Sequence, residues 1–294
     1  MGIRESLAVI SSHPLTRDSL LRTLWRVGVW QTKSRLMNGP FVVPFVNKSK
    51  LLASRGMFAA TGNIYLGLQE FEEMSFLLHY LRPGDTFVDV GANIGSYTML
   101  ASAVTGAKTI AFEPVSTEFS ALEANVALND IKNLVDLRKT AVGSKTGTVN
   151  FTKGWGAGSK IIRDDEEGTS TSITTLDAAI DDKNIRLIKV DVEGFESEVI
   201  KGALRVLSGP SPLALIIELI GLAGYELGID IKSIHSMITD LGFVPFEYNG
   251  LTRELVQADS FNKQGNNTLY LKGISEIRER IRTGPVFEVV GKRL

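Results

Sequence analysis

The chain has 294 residues, of which 44% are hydrophobic, and its 32 basic and 33 acidic residues leave a formal net charge of −1. A chain of this length can bury one large core with or without a smaller accessory region, and the balanced charge argues against nucleic acid as a partner. The absence of cysteine excludes disulfides, thiolate metal sites and a cysteine nucleophile. No apolar run reaches the ~20 residues that span a bilayer, so we expect a cytoplasmic protein without integral membrane association.

The first 81 residues are predicted to form an accessory region of helices and extended segments. Apolar positions within Leu20–Val29 recur at helical spacing with arginines between them, which favours one or two amphipathic helices. Glycine, proline and apolar residues in Asn38–Gly67 predict short strands or a hairpin. A helix over Gln69–Leu81 then leads to a stop at Pro83-Gly84. This region is the candidate surface for oligomerisation.

The most informative segment follows, where a short apolar strand over residues 86–90 breaks into a glycine turn. Gly91 and Gly95 let the backbone turn tightly and approach a ligand where a Cβ would collide. A helical pattern over Ser96–Val104 brings a helix N-terminus, with unpaired amides and a positive dipole end, to that turn. Strand, turn and helix together predict a nucleotide-type cradle, and therefore a cofactor-dependent enzyme.

Three residues bear on which cofactor this turn suits. A dinucleotide site needs a glycine where the chain has Asn93, whose side chain would crowd a pyrophosphate. A second apolar strand, Thr109–Phe112, ends at Glu113, whose carboxylate would emerge beside the turn and accept two ribose hydroxyls. Together with Asp89 at the end of the first strand, it favours an adenosyl ligand without phosphates. An NAD-type oxidoreductase on the same fold is the first alternative.

Strands and helices alternate along the rest of the chain, which predicts a parallel sheet with helices on both faces. A glycine-rich loop at Lys153–Ser159 is expected to act as a mobile lid, with Trp155 either stacking on a substrate or pinning the loop. The other predicted elements are a helix at 117–129, a strand at 135–142, a hairpin at 143–151, an antiparallel edge made of 242–248 and 267–271, and a final helix at 274–281.

Carboxylates are predicted to gather where two later strands end. Strand ends line the ligand crevice of a doubly wound sheet, so Asp191 should face the site, with Glu193 two residues later. Glu218 ends the following strand. Like charges and partial burial would raise a carboxylate pKa toward the range of a general base. Structural alternatives stay open: Asp191 could hold the turn, Glu193 could cap amides, and Glu218 could form a salt bridge with Lys189 or an arginine. A divalent ion between Asp191 and Glu218 is the less favoured hypothesis, and no metal site is predicted.

Several short segments resemble, in their order, the signature of the FkbM family of S-adenosylmethionine-dependent methyltransferases, a class I group. The resemblance runs roughly from Arg82 to Lys272. The segments are Asp89–Gly95, Phe112–Pro114, Thr175–Asp177, Leu187–Glu196, Val199–Ala203 and Ile216–Glu218.

The resemblance implies an α/β fold with a doubly wound, mostly parallel seven-stranded sheet of the Rossmann-like class I type, preceded by an N-terminal helical extension. It implies S-adenosylmethionine as cofactor and O-methylation of a hydroxyl on a sugar or natural-product acceptor. A module that binds the donor without catalysis is the second alternative. The chain is expected to divide into an accessory region (1–81), a methyltransferase domain (82–273) and a C-terminal helix and tail (274–294).

The expected site residues fall into two groups. Asp191, Glu193 and Glu218 are the catalytic candidates. Glu113 is expected to bind the ribose and Asp89 to orient the turn, and the resemblance implies that the backbone of Ala141 meets the adenine. The predicted cofactor-binding residues are Asp89, Gly91, Asn93, Gly95, Ser96, Glu113 and Ala141.

Overall fold

The structure, a computed structural model, describes residues 3–152, 161–162, 168–209, 212–219, 230–265 and 267–294. The glycine-rich loop Lys153–Ser159 and its Trp155 lie outside the described residues, so the proposed lid stays a prediction. Among the described helices, none is both long enough and apolar enough to cross a membrane.

The N-terminal part combines helices with one hairpin. The predicted amphipathic helices, the hairpin and the helix before Pro83 are confirmed. Extended structure after Gly56 is wrong: a helix forms there because Ala60 and Ile64 lie one turn apart and bury one face. The elements are α1 (Ile3–Ser12), α2 (Leu20–Leu36), β1 (Phe41–Pro44) paired antiparallel with β2 (Lys50–Ala53), α3 (Phe58–Leu66) and α4 (Phe71–Tyr80).

An eight-stranded sheet forms the centre of the fold. Its strands are β3 (Thr86–Val90), β4 (Lys108–Phe112), β5 (Val135–Arg138), β10 (Ile185–Val190), β11 (Leu213–Glu218), β12 (Val244–Asn249), β13 (Glu254–Gln257) and β14 (Asn267–Lys272). They lie in the order β13-β12-β14-β11-β10-β3-β4-β5. The strands from β11 to β5 are parallel, whereas β14 is antiparallel to both its neighbours and β13 is antiparallel to β12.

The doubly wound, mostly parallel sheet and its antiparallel edge are therefore confirmed, but the sheet has eight strands where seven are predicted. The additional strand is β13. It forms because the chain reverses directly after β12, where Asn249 Oδ1 accepts hydrogen bonds from the amides of Leu251 and Thr252. An asparagine that bonds the backbone two and three residues ahead is a strong turn former.

The direction in which the chain adds strands reverses between β3 and β10. From β3 the chain adds β4 and β5 on one side, and later adds β10 and β11 on the other. A crevice opens at the carboxyl ends of the strands where such a reversal occurs. Val90 and Val190 are paired in register at those ends, so the next residues, Gly91 and Asp191, flank the crevice.

Helices cover both faces of this sheet. Neighbouring side chains on β10, Leu187 and Ile188, enter different core clusters, because successive residues of a strand point to opposite faces. The predicted helices near 117–129 and 274–281 are confirmed. The helices are α5 (Ser96–Thr98, continued as a π-helical segment, Met99–Val104), α6 (Ser116–Leu128), α7 (Leu176–Ala179), α8 (Glu196–Lys201), α9 (Leu204–Leu207), α10 (Ile231–Asp240) and α11 (Ile274–Arg282).

A second, smaller sheet lies beyond β5. It contains β6 (Ala141–Val142), β7 (Gly147–Thr152), β8 (Ile161–Ile162) and β9 (Gly168–Thr174) in the order β6-β9-β7-β8. The predicted strand 135–142 is divided, because the chain bends at Thr140, whose hydroxyl donates to the Ser172 carbonyl. The predicted hairpin at 143–151 is wrong, since β9 inserts between β6 and β7 and pairs with both.

Both ends of the described chain pack on one core cluster of the central sheet. Leu15 and Val46 join this cluster from the N-terminal part, and Phe287 and Leu294 join it from the tail. A two-stranded hairpin, β15 (Glu288–Val289) with β16 (Lys292–Arg293), returns the last residue to Phe287, and the two residues exchange backbone hydrogen bonds. The division of the chain at residues 82 and 274 stays a prediction.

The tail offers a matched test of this packing. Phe287 is 4% exposed and its neighbour Val286 is 54% exposed. Phe287→Ala is expected to lower the free energy of unfolding by about 3–5 kcal/mol through the cavity it leaves, whereas Val286→Ala should stay within about 0.5 kcal/mol of the unsubstituted protein. Denaturant unfolding measures both, and equal losses would contradict this account of the tail.

Candidate active site

The turn after β3 is fixed by backbone contacts to the strands on either side. The amides of Gly91 and Ala92 both donate to the Phe112 carbonyl at 3.0 Å, and the Asp191 amide donates to the Val90 carbonyl at 3.0 Å. Gly91 has a φ of +82°, and a Cβ there would lie 1.9 Å from the Asp191 carbonyl oxygen. The glycine is thus required by the adjacent strand, whatever ligand the turn holds.

Asp89 anchors the helix that follows the turn. Its side chain is 1% exposed, and its Oδ2 accepts a hydrogen bond from the Thr98 hydroxyl at 2.7 Å. Burial raises the pKa of Asp89 to about 6. Gly95 adopts a left-handed conformation at the start of α5, where a Cβ would lie 2.4 Å from Leu122. These contacts aim the helix N-terminus at the crevice.

Glu113 is held beside the turn by two backbone amides. Its Oε2 accepts from the Asn93 amide and its Oε1 from the Val115 amide, both at 2.8 Å. Burial raises the pKa of Glu113 to about 7. Because an ionised carboxylate has about four acceptor positions, each oxygen can accept one further hydrogen bond, which is the requirement of a ribose diol.

One cavity collects almost all the predicted site residues. It has a volume of about 310 Å³ at the carboxyl ends of the strands. Gly95, which precedes α5, is the one predicted residue outside its lining. The predicted residues in the lining are Asp89, Gly91, Asn93, Ser96, Glu113, Ala141, Asp191, Glu193 and Glu218.

A buried ion pair lies in the floor of this cavity. Lys189 Nζ is 2.6 Å from Asp191 Oδ2, and the two side chains are 4% and 28% exposed. Burial acts to raise the pKa of Asp191, but the charge and hydrogen bond of Lys189 outweigh it and hold that pKa below its usual value. Among the described residues, Lys189 therefore forms its salt bridge with Asp191. The alternative considered from the sequence, a salt bridge between Lys189 and Glu218, is not the one observed.

Glu218 carries the opposite shift. Burial, followed by the charge of Asp191, raises the pKa of Glu218 to about 9. Its Oε2 is buried and has no hydrogen-bond partner among the described residues. At neutral pH the two neighbouring groups therefore differ: Asp191 is ionised and Glu218 holds a proton.

Glu193 completes the acidic cluster. One carboxylate oxygen each from Asp191, Glu193 and Glu218 lies within 4.8 Å of the others. Glu193 itself has a φ of +53°, and the loop that carries it is shaped by Glu196, whose Oε1 accepts from the Val192 and Gly194 amides at 3.1 Å each. Three such oxygens match the ligands of a hard cation, but Lys189 already supplies a positive charge to Asp191. The metal hypothesis stays the less favoured prediction.

Sequence reasoning missed a wall of the cavity that comes from the N-terminal part. Asn63, Gln69 and Glu70 line it, and Asn63 Nδ2 donates to the Ser96 hydroxyl at 3.2 Å. The Tyr97 hydroxyl donates to the Glu70 carboxylate, and Lys189 Nζ lies 4.7 Å from the centre of the Tyr97 ring. The sequence held one sign of this wall: Asn63 is a polar residue that lies one helical turn after Ala60, on the buried face of α3.

Comparisons with known proteins identify the family of the chain. The model of the Methyltransferase FkbM domain family matches residues 89–245, more than half of the chain. The 31-O-demethyl-FK506 methyltransferase FkbM of Streptomyces tacrolimicus is 36% identical over 91 residues, which cover 30% of this chain and 34% of that protein. The hexuronic acid methyltransferase AglP of Haloferax volcanii is 27% identical over 175 residues, which cover 58% of this chain and 68% of that protein.

Among solved structures, a precorrin-6y C5,15-methyltransferase from Geobacter metallireducens superposes with a TM-score of 0.42 at 12% identity, over 76% of this chain and 93% of that one.

Fold and site together define a class I methyltransferase. The chain belongs to the FkbM methyltransferase domain family. Its cofactor is S-adenosylmethionine, and the residues present fit that group: Glu113 presents acceptor positions for a diol, and Asn93 occupies the place where a pyrophosphate would need glycine.

The contact between Gly91 and Asp191 can be tested with a matched glycine. Gly84 also has a positive φ, +92°, but a Cβ there would meet nothing within 4 Å. Gly84→Ala should therefore lose about 1 kcal/mol of stability through backbone strain alone. Gly91→Ala should lose at least about 3 kcal/mol and should weaken binding of S-adenosylhomocysteine, measured by calorimetry. Equal losses and unchanged affinity would show that the two strand ends are not tightly coupled.

The proton on Glu218 predicts a pH-dependent stability. The group ionises near its usual value of 4.5 in the unfolded chain and at about 9 in the folded chain. The contribution of Glu218 to the free energy of unfolding is therefore complete below about pH 4.5 and is lost as the pH rises toward 9. Glu218→Gln, which cannot ionise, should gain melting temperature relative to the unsubstituted protein between about pH 5 and about pH 8.5. The exposed Glu123 provides the control, and a gain in Glu123→Gln of the same size would refute the prediction.

Proposed function

We propose that the protein is an O-methyltransferase that transfers the methyl group of S-adenosylmethionine to a hydroxyl of a sugar or natural-product acceptor. The observation that carries the proposal is the pair of neighbouring carboxyl groups in the cavity lining, with Asp191 Oδ2 2.6 Å from Lys189 Nζ and Glu218 close to Asp191. Lys189 lowers the pKa of Asp191, and burial raises that of Glu218. Methylation of a hydroxyl releases a proton, and an ionised carboxylate is the group that can take it up. The names of both relatives, a 31-O-demethyl-FK506 methyltransferase and a hexuronic acid methyltransferase, agree with such acceptors.

The residues of the cavity divide into holding and reacting groups. The bound cofactor supplies a methyl group made electrophilic by its sulfonium. Glu113 accepts hydrogen bonds from the ribose, and the turn from Gly91 to Ser96 and Ala141 surround the rest of the donor. Asp191 orients the acceptor hydroxyl and accepts its proton, so that the oxygen can approach in line.

Glu218 and Lys189 set the charge on Asp191. The proton on Glu218 prevents a second negative charge from forming beside Asp191, and Lys189 keeps Asp191 ionised. A carboxylate with a lowered pKa is a weak base, which is sufficient here because the hydroxyl becomes acidic as its oxygen bonds to the methyl group.

Three broader expectations accompany this proposal. A cytoplasmic location and the absence of a nucleic acid partner stay predictions. So does oligomerisation through the N-terminal region, for which α2 offers an apolar surface: Leu21, Trp25 and Leu36 are 84%, 76% and 80% exposed. Sedimentation of the full chain measures the oligomeric state.

The division of roles predicts opposite effects for two substitutions. Glu113→Ala should weaken donor binding by about tenfold or more, since it removes hydrogen bonds to a charged group. Asp191→Asn should lower turnover by about 10²–10⁴-fold while the dissociation constant for the donor changes little. Calorimetry with S-adenosylmethionine and its demethylated product measures the first effect, and mass spectrometry of hydroxylated acceptors measures the second.

The control must separate a loss of catalysis from a loss of stability caused by the buried Lys189. Asp191→Asn leaves Lys189 without its charge partner, which destabilises a fold, so melting temperatures accompany each measurement. The double variant Lys189→Met/Asp191→Asn removes both charges and should stay inactive while regaining stability. Equal loss of donor affinity in Glu113→Ala and Asp191→Asn would contradict the division, and turnover that disappears with a chelator and returns with Mg²⁺ would assign the carboxylates to a metal.

A further inference from the structure

A second groove adjoins the cofactor cavity. Its volume is about 880 Å³, and Gln69 and Glu70 line both spaces. It runs between the start of α4, the strand β12 and the beginning of β14. Pockets that bind small molecules have volumes of ~300–1,000 Å³. The groove is therefore large enough to hold a second molecule beside the donor. We name this space the acidic groove because five glutamates line it: Glu70, Glu72, Glu73, Glu247 and Glu254. Asn267 also lines it.

The charge of the acidic groove is strongly one-sided. Five glutamates line it among the described residues, against one guanidinium, that of Arg17. Burial, followed by the charge of Glu70, raises the pKa of Glu73 to about 8, so Glu73 holds a proton at neutral pH and adds no negative charge to the groove. A ligand with hydroxyl or ammonium groups would meet many acceptors here, and a ligand with a carboxylate would meet like charge.

A buried amide supplies an independent sign of a ligand. Asn267 leaves only 6% of its surface exposed, and its Oδ1 has no hydrogen-bond partner among the described residues. Burying an acceptor without a donor is unfavourable, and a donor on a ligand in the groove would satisfy it. Asn267 lies directly opposite Glu218 in the register of β14 and β11. The unpaired acceptor therefore stands where the groove meets the carboxyl pair.

We propose that the acidic groove binds the methyl acceptor, and that this acceptor is an uncharged or amine-bearing polyhydroxylated molecule and not a uronate. The proposal rests on the proposed O-methyl transfer, whose proton-accepting group, Asp191, lines the adjoining cofactor cavity. Hydroxyl and ammonium groups of the acceptor donate to Asn267 Oδ1 and to the glutamates. The chain would differ in this respect from its Haloferax volcanii relative, which is named for hexuronic acid.

The test compares three probes that share one sugar ring and carry no charge, a positive charge at C2 or a negative charge at C6. The methyl glycosides of glucose, glucosamine and glucuronic acid are titrated into the full chain saturated with S-adenosylhomocysteine, with binding followed by NMR. The glucoside and the glucosaminide should bind, with the glucosaminide at least as tight as the glucoside, and the glucuronide should bind at least about tenfold more weakly, because like charges oppose each other in the groove. Raising the salt concentration should narrow the difference.

Charge reversal gives a matched pair of variants. Glu72 is exposed on α4 and lines the groove, whereas Glu123 is exposed on α6 and does not. Glu72→Lys should strengthen glucuronide binding and weaken glucosaminide binding, and Glu123→Lys should leave all three affinities unchanged. Asn267→Leu, which removes the unpaired acceptor while keeping the volume, should weaken the glucoside without altering affinity for S-adenosylhomocysteine.

The outcomes separate this proposal from the proposed function. Equal binding of glucuronide and glucoside, no binding of any glycoside, or no response to Glu72→Lys overturns the groove assignment. Methyl transfer is measured in parallel with S-adenosylmethionine: preferential methylation of the uronate would overturn the groove assignment while O-methylation stands. If the three glycosides bind in the expected order but none gains a methyl group, the proposed O-methyl transfer is contradicted. The groove would still be supported as a binding site.

Discussion

The site depends on the contact between the ends of two neighbouring strands. Gly91 follows β3 and Asp191 follows β10, and the backbones approach so closely that a Cβ on the glycine would overlap the Asp191 carbonyl. The backbone hydrogen bond from Asp191 to Val90 fixes the same approach. The turn proposed to hold the donor and the carboxylate proposed to face the acceptor are therefore joined at one corner of the backbone, which fixes the distance between them. Methyl transfer requires such positioning more than it requires strong acid or base chemistry.

A single buried cation organises the charges around that corner. Lys189 is almost fully buried, which by itself lowers its pKa, but Asp191, Glu70 and Asp89 outweigh burial and raise it, so the lysine stays charged. Its contact with the ring of Tyr97, which bonds to Glu70, extends the network into the N-terminal part of the chain. The accessory region thus takes part in the electrostatics of the site. We therefore expect a change in Glu70 to alter the electrostatic environment of Asp191.

The sequence predicts the parts of this site that follow from local pattern. Gly91, Asn93 and Gly95 stand in one strand-turn-helix segment, and Glu113 stands at the next strand end, so periodicity and turn chemistry locate them. The extra strand β13 and the helix α3 were missed because they depend on one asparagine turn and on burial against the rest of the fold. The Lys189–Asp191 pairing and the cavity wall from Asn63 to Glu70 involve partners that no motif connects. Contacts of this kind are decided by tertiary packing, to which a single sequence gives little access.

The reversed strand explains why the part of the site around Asn267 is the hardest to recognise in the sequence. In a parallel strand the residues at the functional edge come last, and Asp191 and Glu218 follow that rule. Because β14 runs antiparallel to β11, its first residue lies at the edge where the other strands end, and Asn267 meets Glu218 there. An asparagine at the start of a strand ordinarily reads as part of the preceding loop. Asn267 lies opposite Glu218, and its Oδ1 has no partner among the described residues. This position can be recognised only once the direction of the strand is known.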